Sequence, residues 1–465
     1  MKYINTSIIA KLLTTLLIML TGLTSCSDFI EIEPPRTEIV SQSVFSSDAS
    51  AMAAVKGIYS LMMTNPNFIK GGLEEYTGIA SDELICYALR NEPIQFYQNS
   101  LTPRNGDVFQ YFWQEPYKQI NNANAILEGL SKPNGLTPNG KNQIEGEALF
   151  IRAFCHFYLT TLFGDVPYIT STNYEVNAST SRTPFDEVLI LIKEDLITAR
   201  QRLTNDFLPT NGERIQPNKA AATALLARLN LYLNDWQGAE ALASEVIDNT
   251  NYSLLSDLND VFLANSAEAI WQLKPVIPGT NAPQGELFIM TNAPNGFSRR
   301  VSMTPELIAA FEPNDLRKSN WTNTIIRATG TWTYIYKYKI RLSSTLTEYA
   351  MVLRLAEQYL IRAEARAQQQ NLAGAKADLN TIRTRAGLPD YNAASKDELL
   401  NAILNERRIE LCGEQGHRWL DLKRSGQIDN VLSVLKPNWQ TTDALFPIPE
   451  SERLLNPNLS QNTGY

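Results

Sequence analysis

Histidine is the scarcest reactive side chain in this chain of 465 residues, with two copies, His156 and His417. A catalytic zinc held by two or three imidazoles has almost no material to draw on, and neither histidine lies in an HExxH run. Cysteine is nearly as sparse: Cys26, Cys86, Cys155 and Cys412 are scattered without CxxC spacing. Clusters of Lys and Arg are missing too. With 41 basic against 49 acidic residues, a net charge of −8 and a pI near 5.2, the composition argues against nucleic acid as a partner, because that affinity rests on clustered cations. GxGxxG, P-loop and GxSxG motifs are all absent. No catalytic residues, metal site or cofactor are therefore expected.

Long apolar runs are confined to the beginning. After Lys2 and Lys11, the segment Leu12–Leu23 ("LLTTLLIMLTGL") is too short for a stable membrane-crossing helix and has the profile of an export signal. Leu23, Thr24 and Ser25 lead directly into Cys26, the pattern of a bacterial lipobox, at which a diacylglyceryl group is placed on the thiol before cleavage. Acyl chains gain about 0.8 kcal/mol per buried methylene, enough to anchor a chain that has no spanning helix. The sequence thus predicts a lipoprotein signal over residues 1–25 and lipid attachment at Cys26. Plain secretion with an unmodified Cys26 is the competing reading. Cys86, Cys155 and Cys412 then remain, and three buried free thiols fit better than one disulfide and an odd thiol.

Helical patterns separated by loops rich in Asn, Pro, Gly, Ser and Thr dominate the rest. Ile144, Ala148, Ile151, Cys155, Tyr158 and Leu162 follow a helical spacing, and Phe150, Phe154 and Phe157 make the opposite face apolar as well, so this helix is expected to be buried. Gly164 and Pro167 end it. His156 inside it reads as a core histidine, and Trp113 as a core tryptophan. Laying Gly238-Ala239 on Gly374-Ala375 also pairs Ala227 with Ala363, Trp236 with Leu372, Ala241 with Ala377 and Val246 with Ile382. Small residues recurring where paired helices cross are the logic of tetratricopeptide-like hairpins. "EPYKQINNANAILEGL", leading into the Ile144 helix, reads as a further hairpin. Between Asp260 and Arg341 the texture changes to short strands and long loops, with Trp332, Tyr334, Tyr336 and Tyr338 alternating as on a strand. Near the end, Glu414, Arg418 and Asp421 alternate in sign along one helical face. An ion network that ties helices together explains them better than a catalytic carboxylate pair, which needs opposed geometry.

Seven stretches in order resemble the SusD/RagB family of outer-membrane nutrient-binding lipoproteins: the lipobox with "IEIEPP", "SVFSSDASAMAAVKGIYSLM", "ALFIRAFCHFYLTTLFGDVPY", "VLRLAEQYLIRAEARAQ", "LNTIRTRAGLP", "ILNERRIELCGEQGHRWLDLKRSG" and "LFPIPESERLLNPNLSQNTGY". The resemblance implies a mainly α fold, SusD-like, forming a single domain over residues 26–465. Tetratricopeptide-like helices are expected over about 45–250 and 350–435, and an irregular loop-rich, short-strand insert over about 255–345. It further implies a non-enzymatic surface lipoprotein, lipid-anchored in the outer membrane and facing outward. Such a protein binds oligosaccharide and passes it to a SusC-like TonB-dependent transporter. A peptide receptor of the RagB type is the alternative cargo reading; a secreted glycan hydrolase and a pure helical scaffold are the alternatives of other classes.

Ligand contacts lie in variable loops of this family, so they are inferred physically. A sugar ring wants an aromatic platform beside amides or charged groups. Phe96, Tyr97 and Asn99 in "NEPIQFYQNS", and Trp321 and Asn323 in "NDLRKSNWTNT", offer that mixture; Trp332 is a third platform. For each ring the competing reading is packing beneath its own loop.

Overall fold

The computed structural model describes residues 43–64 and 67–465; Cys26 lies outside them. Apolar spacing of three and four residues sets the main helices: α1 (Asp48–Thr64), α2 (Glu115–Ser131), α3 (Pro138–Phe163), α4 (Phe185–Arg202), α5 (Lys219–Tyr232), α6 (Trp236–Ile247), α7 (Leu355–Gln368), α8 (Leu372–Arg385), α9 (Lys396–Glu410) and α10 (His417–Arg424). α3 is apolar on both faces and is buried along most of its length, packed between α2 and α4. Thr137 caps it by accepting from the Gly140 N–H, and Gly164, at φ 75°, ends it in a conformation other residues resist. His156 is fully buried there. Its Nδ1 meets the Arg152 carbonyl, its Nε2 accepts from the Ile169 N–H, and burial holds its pKa down at about 3.

The internal repeat reappears as two helix pairs, α5/α6 and α7/α8, whose starts fall on the residues the sequence aligns: Lys219 with Leu355 and Trp236 with Leu372. Asp235 caps α6 by accepting from Gly238 N–H, and Asn371 caps α8 by accepting from Gly374 N–H. Ala227, Ala239, Ala243, Ile361 and Ala365 form one cluster, so small side chains let α6 lie close against α7.

Strands are short. β1 (Leu84–Cys86) pairs with β3 (Val301–Met303), β2 (Ala269–Leu273) with β6 (Ala350–Arg354), and β4 (Thr322–Arg327) with β5 (Gly330–Ile335), all antiparallel. β5 is the strand read from "TWTYIYKYKI", but it stops at Ile335. Trp332, Tyr334 and Tyr336 pack with Met290 and Ile325, whereas Tyr338 turns into a different cluster with Phe262 and Trp321. Cys155 and Cys412 are buried free thiols and Cys86 is a half-buried one. Among the described residues no helix is long and apolar enough to cross a membrane.

Charge, rather than apolar contact alone, joins the strand region to the helices. Glu410 on α9 is fully buried; its Oε1 accepts from Arg354 and Arg385 and its Oε2 from Arg317. Burial alone would raise its pKa, yet Arg385, Arg354 and Arg317 together hold it far below the usual carboxylate range. Glu414 accepts from Arg354 and Lys337, Glu406 from Arg317 and Arg383, and Asp82 from Arg418. The alternating charges around Glu414, Arg418 and Asp421 are thus consumed in fixing elements to one another.

Candidate functional site

Two of the aromatic platforms expected from the sequence are buried. Phe96 is packed against Tyr76, Phe112 and Phe446 with no exposed face. Trp321 closes the short helix Leu316–Trp321, is fully buried, and donates its Nε1–H to the Leu258 carbonyl at 2.9 Å. Arg317 on the same turn is drawn into the Glu406–Glu410 network, which pulls this helix inward and takes Trp321 with it. Lys337 lies 4.7 Å from its ring centroid, so the tryptophan lines the ion network instead of a ligand. Asn99 is also buried, in a left-handed turn at φ 49° with its Nδ2 on the Ala80 carbonyl.

The others reach the surface at two places. Tyr97 is half-buried beneath the Lys436 ammonium, 4.2 Å from the ring centroid, and lines a cavity of about 420 Å3 with Asp82, Glu306 and Lys436. Trp332 and Asn323 share the β4–β5 hairpin, Trp332 half-buried opposite Ile325 and Asn323 exposed. Among the described residues, none of this hairpin lines the cavity at Tyr97.

A site that sequence reading missed lies beside that hairpin, in a cavity of about 350 Å3 lined by residues from four segments. The first is the helix Phe68–Thr77, broken at Lys70 and at Gly71, whose φ is 91°. A Cβ at Gly72 would stand 2.9 Å from the Asn67 carbonyl oxygen and 3.0 Å from the Tyr111 ring, so only glycine allows this approach. The second is Tyr111; the third is the short helix Pro283–Phe288, which contributes Glu286 and Leu287. The fourth is the loop running from Asn292 into β3. There the Asn295 Oδ1 accepts from the N–H groups of Phe297, Ser298 and Arg299, a side-chain-closed turn that holds Phe297 outward at 74% exposure. Arg327 of the hairpin donates to the Thr291 carbonyl and the Asn292 side chain, which ties the hairpin to this loop.

The electrostatics are balanced. Glu75 is buried, its Oε2 accepting from Arg300 at 2.5 Å, while its Oε1 has no hydrogen-bond partner among the described residues. Burial pushes its carboxyl up to about 7, with Arg300 opposing and Asp107 assisting. Lys70 has its pKa lowered by burial, against the pull of Glu286. An exposed aromatic face, a free buried acceptor, and two cations matched by two carboxylates make a surface for an uncharged, hydroxyl-rich ligand with an apolar face. No sequence motif marks these residues, since they converge only through tertiary packing; the run "NAPNGFSRR", with its Asn and Gly around Phe297, is the one local signal.

Comparison with known proteins finds similarity over nearly the whole chain. The SusD family model matches residues 304–465, and a second family model, described as starch-binding associating with outer membrane, matches residues 35–231. The SusD-like protein P25 of Formosa agariphila is 25% identical, covering 95% of this chain and 97% of that protein. Among solved structures, a SusD superfamily protein from Bacteroides vulgatus superposes with a TM-score of 0.78 at 21% identity, over 90% of this chain and 99% of that one. A laminarin-binding SusD-like protein gives 0.76 at 22% identity, over 90% and 100%.

Proposed function

Since the chain belongs to the SusD family, we propose that it is a glycan-binding protein associated with the outer membrane. In this reading it is moored by acyl chains on Cys26, faces outward, and hands oligosaccharide unaltered to a SusC-like TonB-dependent transporter. The observation that carries the glycan reading is the loop-face cavity, in which the exposed Phe297 and the Glu75 carboxylate, one oxygen of which has no donor among the described residues, share the lining. A sugar stacks a CH face on such a ring and donates hydroxyls to carboxylates of the lining such as Glu75 and Glu286. In this reading Trp332 and Asn323, on the hairpin that Arg327 ties to the same loop, offer further contacts to a longer ligand. The starch-binding description of the family model and the laminarin-binding relative support the same ligand class.

Calorimetric titration of a form lacking Cys26 against neutral, acidic and amino glycans and oligopeptides tests this. Saturable binding of a neutral glycan is expected, with Phe297→Ala and Glu75→Gln each weakening it about tenfold, roughly 1.4 kcal/mol. A peptide as the only ligand would select the RagB-type cargo, and release of new reducing ends would select a hydrolase. Mass spectrometry of the membrane-extracted chain should find diacylglyceryl on Cys26, and cross-linking in intact cells should recover a TonB-dependent barrel. An unmodified thiol would remove the anchor, and recovery of no barrel would remove the transport step.

A further inference from the structure

A larger cavity lies elsewhere. It measures about 790 Å3, opens between the end of α3, α5, α10 and the C-terminal tail, and shares no lining residue with the loop-face site. That volume is in the range of sites for small organic ligands. Phe185, Tyr232 and Leu445 give it apolar walls, and its charged lining is Asp165, Arg182, Lys423 and Arg424.

The accounts of these four groups differ. Arg424 is neutralised within the protein, donating to both oxygens of Glu364 and to Asp421. Arg182 spends its donors on uncharged oxygens, the backbone of Phe163, Asp165 and Ser460 and the side chains of Ser460 and Asn462. Asp165 accepts from the Phe185 N–H at 2.8 Å. Lys423 donates to the Thr161 carbonyl, and among the described residues no carboxylate pairs with it. Burial pushes its pKa down to about 7. An ammonium set into a largely apolar cavity without a counter-ion is costly unless an anion meets it, and here the wall is cationic in a chain of net charge −8.

We propose that this cavity is a second binding site, for a small organic carboxylate with an apolar body, whose charge is read by Lys423 against the walls formed by Phe185, Tyr232 and Leu445. The site is independent of the glycan reading and has its own test. Titrate the chain with 4-phenylbutyrate and with the isosteric neutral 4-phenylbutanamide. The acid should bind saturably and at least about tenfold more tightly than the amide, and Lys423→Met should bring the two to equal, weak affinity. Lys423→Met also takes the donor from the Thr161 carbonyl, so a modest fall in melting temperature is expected and the two affinities are compared on the folded fraction. On the unsubstituted chain, 4-phenylbutyrate should slow trinitrophenylation of Lys423 at neutral pH, read by peptide mass spectrometry. Equal affinity for acid and amide, acid preference retained in Lys423→Met, or no protection of Lys423 would each overturn the proposal.

Discussion

The two oxygens of Glu75 have different company: one is held by Arg300, the other is buried without a donor among the described residues. With its carboxyl pushed up to about 7 by burial, the side chain is part-protonated near neutrality. A ligand hydroxyl donating to the carboxylate favours its charged form. Glycan affinity should therefore rise as pH increases from about 6 to about 8 and level off above the folded pKa, and Glu75→Gln should flatten the profile. Titration calorimetry at three pH values checks this; an unchanged slope in the variant would detach Glu75 from the ligand. Trp321 makes the opposite prediction. Trp321→Ala should cost about 3–5 kcal/mol in urea unfolding, the range for deleting a buried aromatic, and leave glycan affinity of the folded fraction unaltered. Its local sequence, "KSNWTN", is polar throughout, so exposure was the natural inference from neighbours alone. What buries it is Arg317, four residues back, reaching carboxylates some ninety positions later on α9. No window of sequence contains that information.

Helices were far more legible than sites. The paired motifs around Gly238 and Gly374 predicted two hairpins because the chemistry is local: each glycine sits three residues after an Asp or Asn cap, where a Cβ would crowd the capping side chain, at 2.6 Å from Asp235 Oδ2 and 2.7 Å from Asn371 Nδ2. Gly238→Ala and Gly374→Ala should each cost about 1 kcal/mol of stability by disturbing the cap, as read by denaturant midpoint. The strand region was legible in texture but not in register. β5 ends at Ile335, three residues short of Tyr338, because the chain there leaves the hairpin for the Phe262 cluster. On α9 the Glu410 carboxylate balances three guanidiniums at once. Glu410→Gln should destabilise by about 3–5 kcal/mol, since it strands buried cations. A smaller loss would mean that water reaches the network.

Across the whole molecule, the tail is bound rather than frayed. Gln461 exchanges two hydrogen bonds with the Ile448 backbone, Asn462 donates to the carbonyls of Phe163 and Phe446, and the Tyr465 hydroxyl donates to that of Leu445. Removing residues 461–465 should cost about 3–5 kcal/mol at roughly 1 kcal/mol per bond, seen as a lower melting temperature. Global stability also carries a pH signature. Glu74, Glu75, Glu83 and Glu147 are all pushed up to about 7 by burial, so the folded state keeps protons that the unfolded state releases near pH 4.5, and stability falls as pH rises from there through 7. His156 and His417, held neutral by burial, act the other way below 6.5 but are fewer. The melting temperature should therefore be higher near pH 5 than near pH 7, and Glu83→Gln should shrink the difference.

The counter-ions that Arg317 and Lys337 supply to Glu406, Glu410 and Glu414 have an evolutionary corollary. Changes at the Phe297 turn and the hairpin tip leave this network intact, whereas a replacement of residues 255–345 keeps it only if both cations come with it. Any chimaera lacking Arg317 and Lys337 would arrive with three glutamates of the recipient short of their cations. Diversification on this architecture should accordingly proceed by small edits at loop crests, with those two basic positions kept through every exchange.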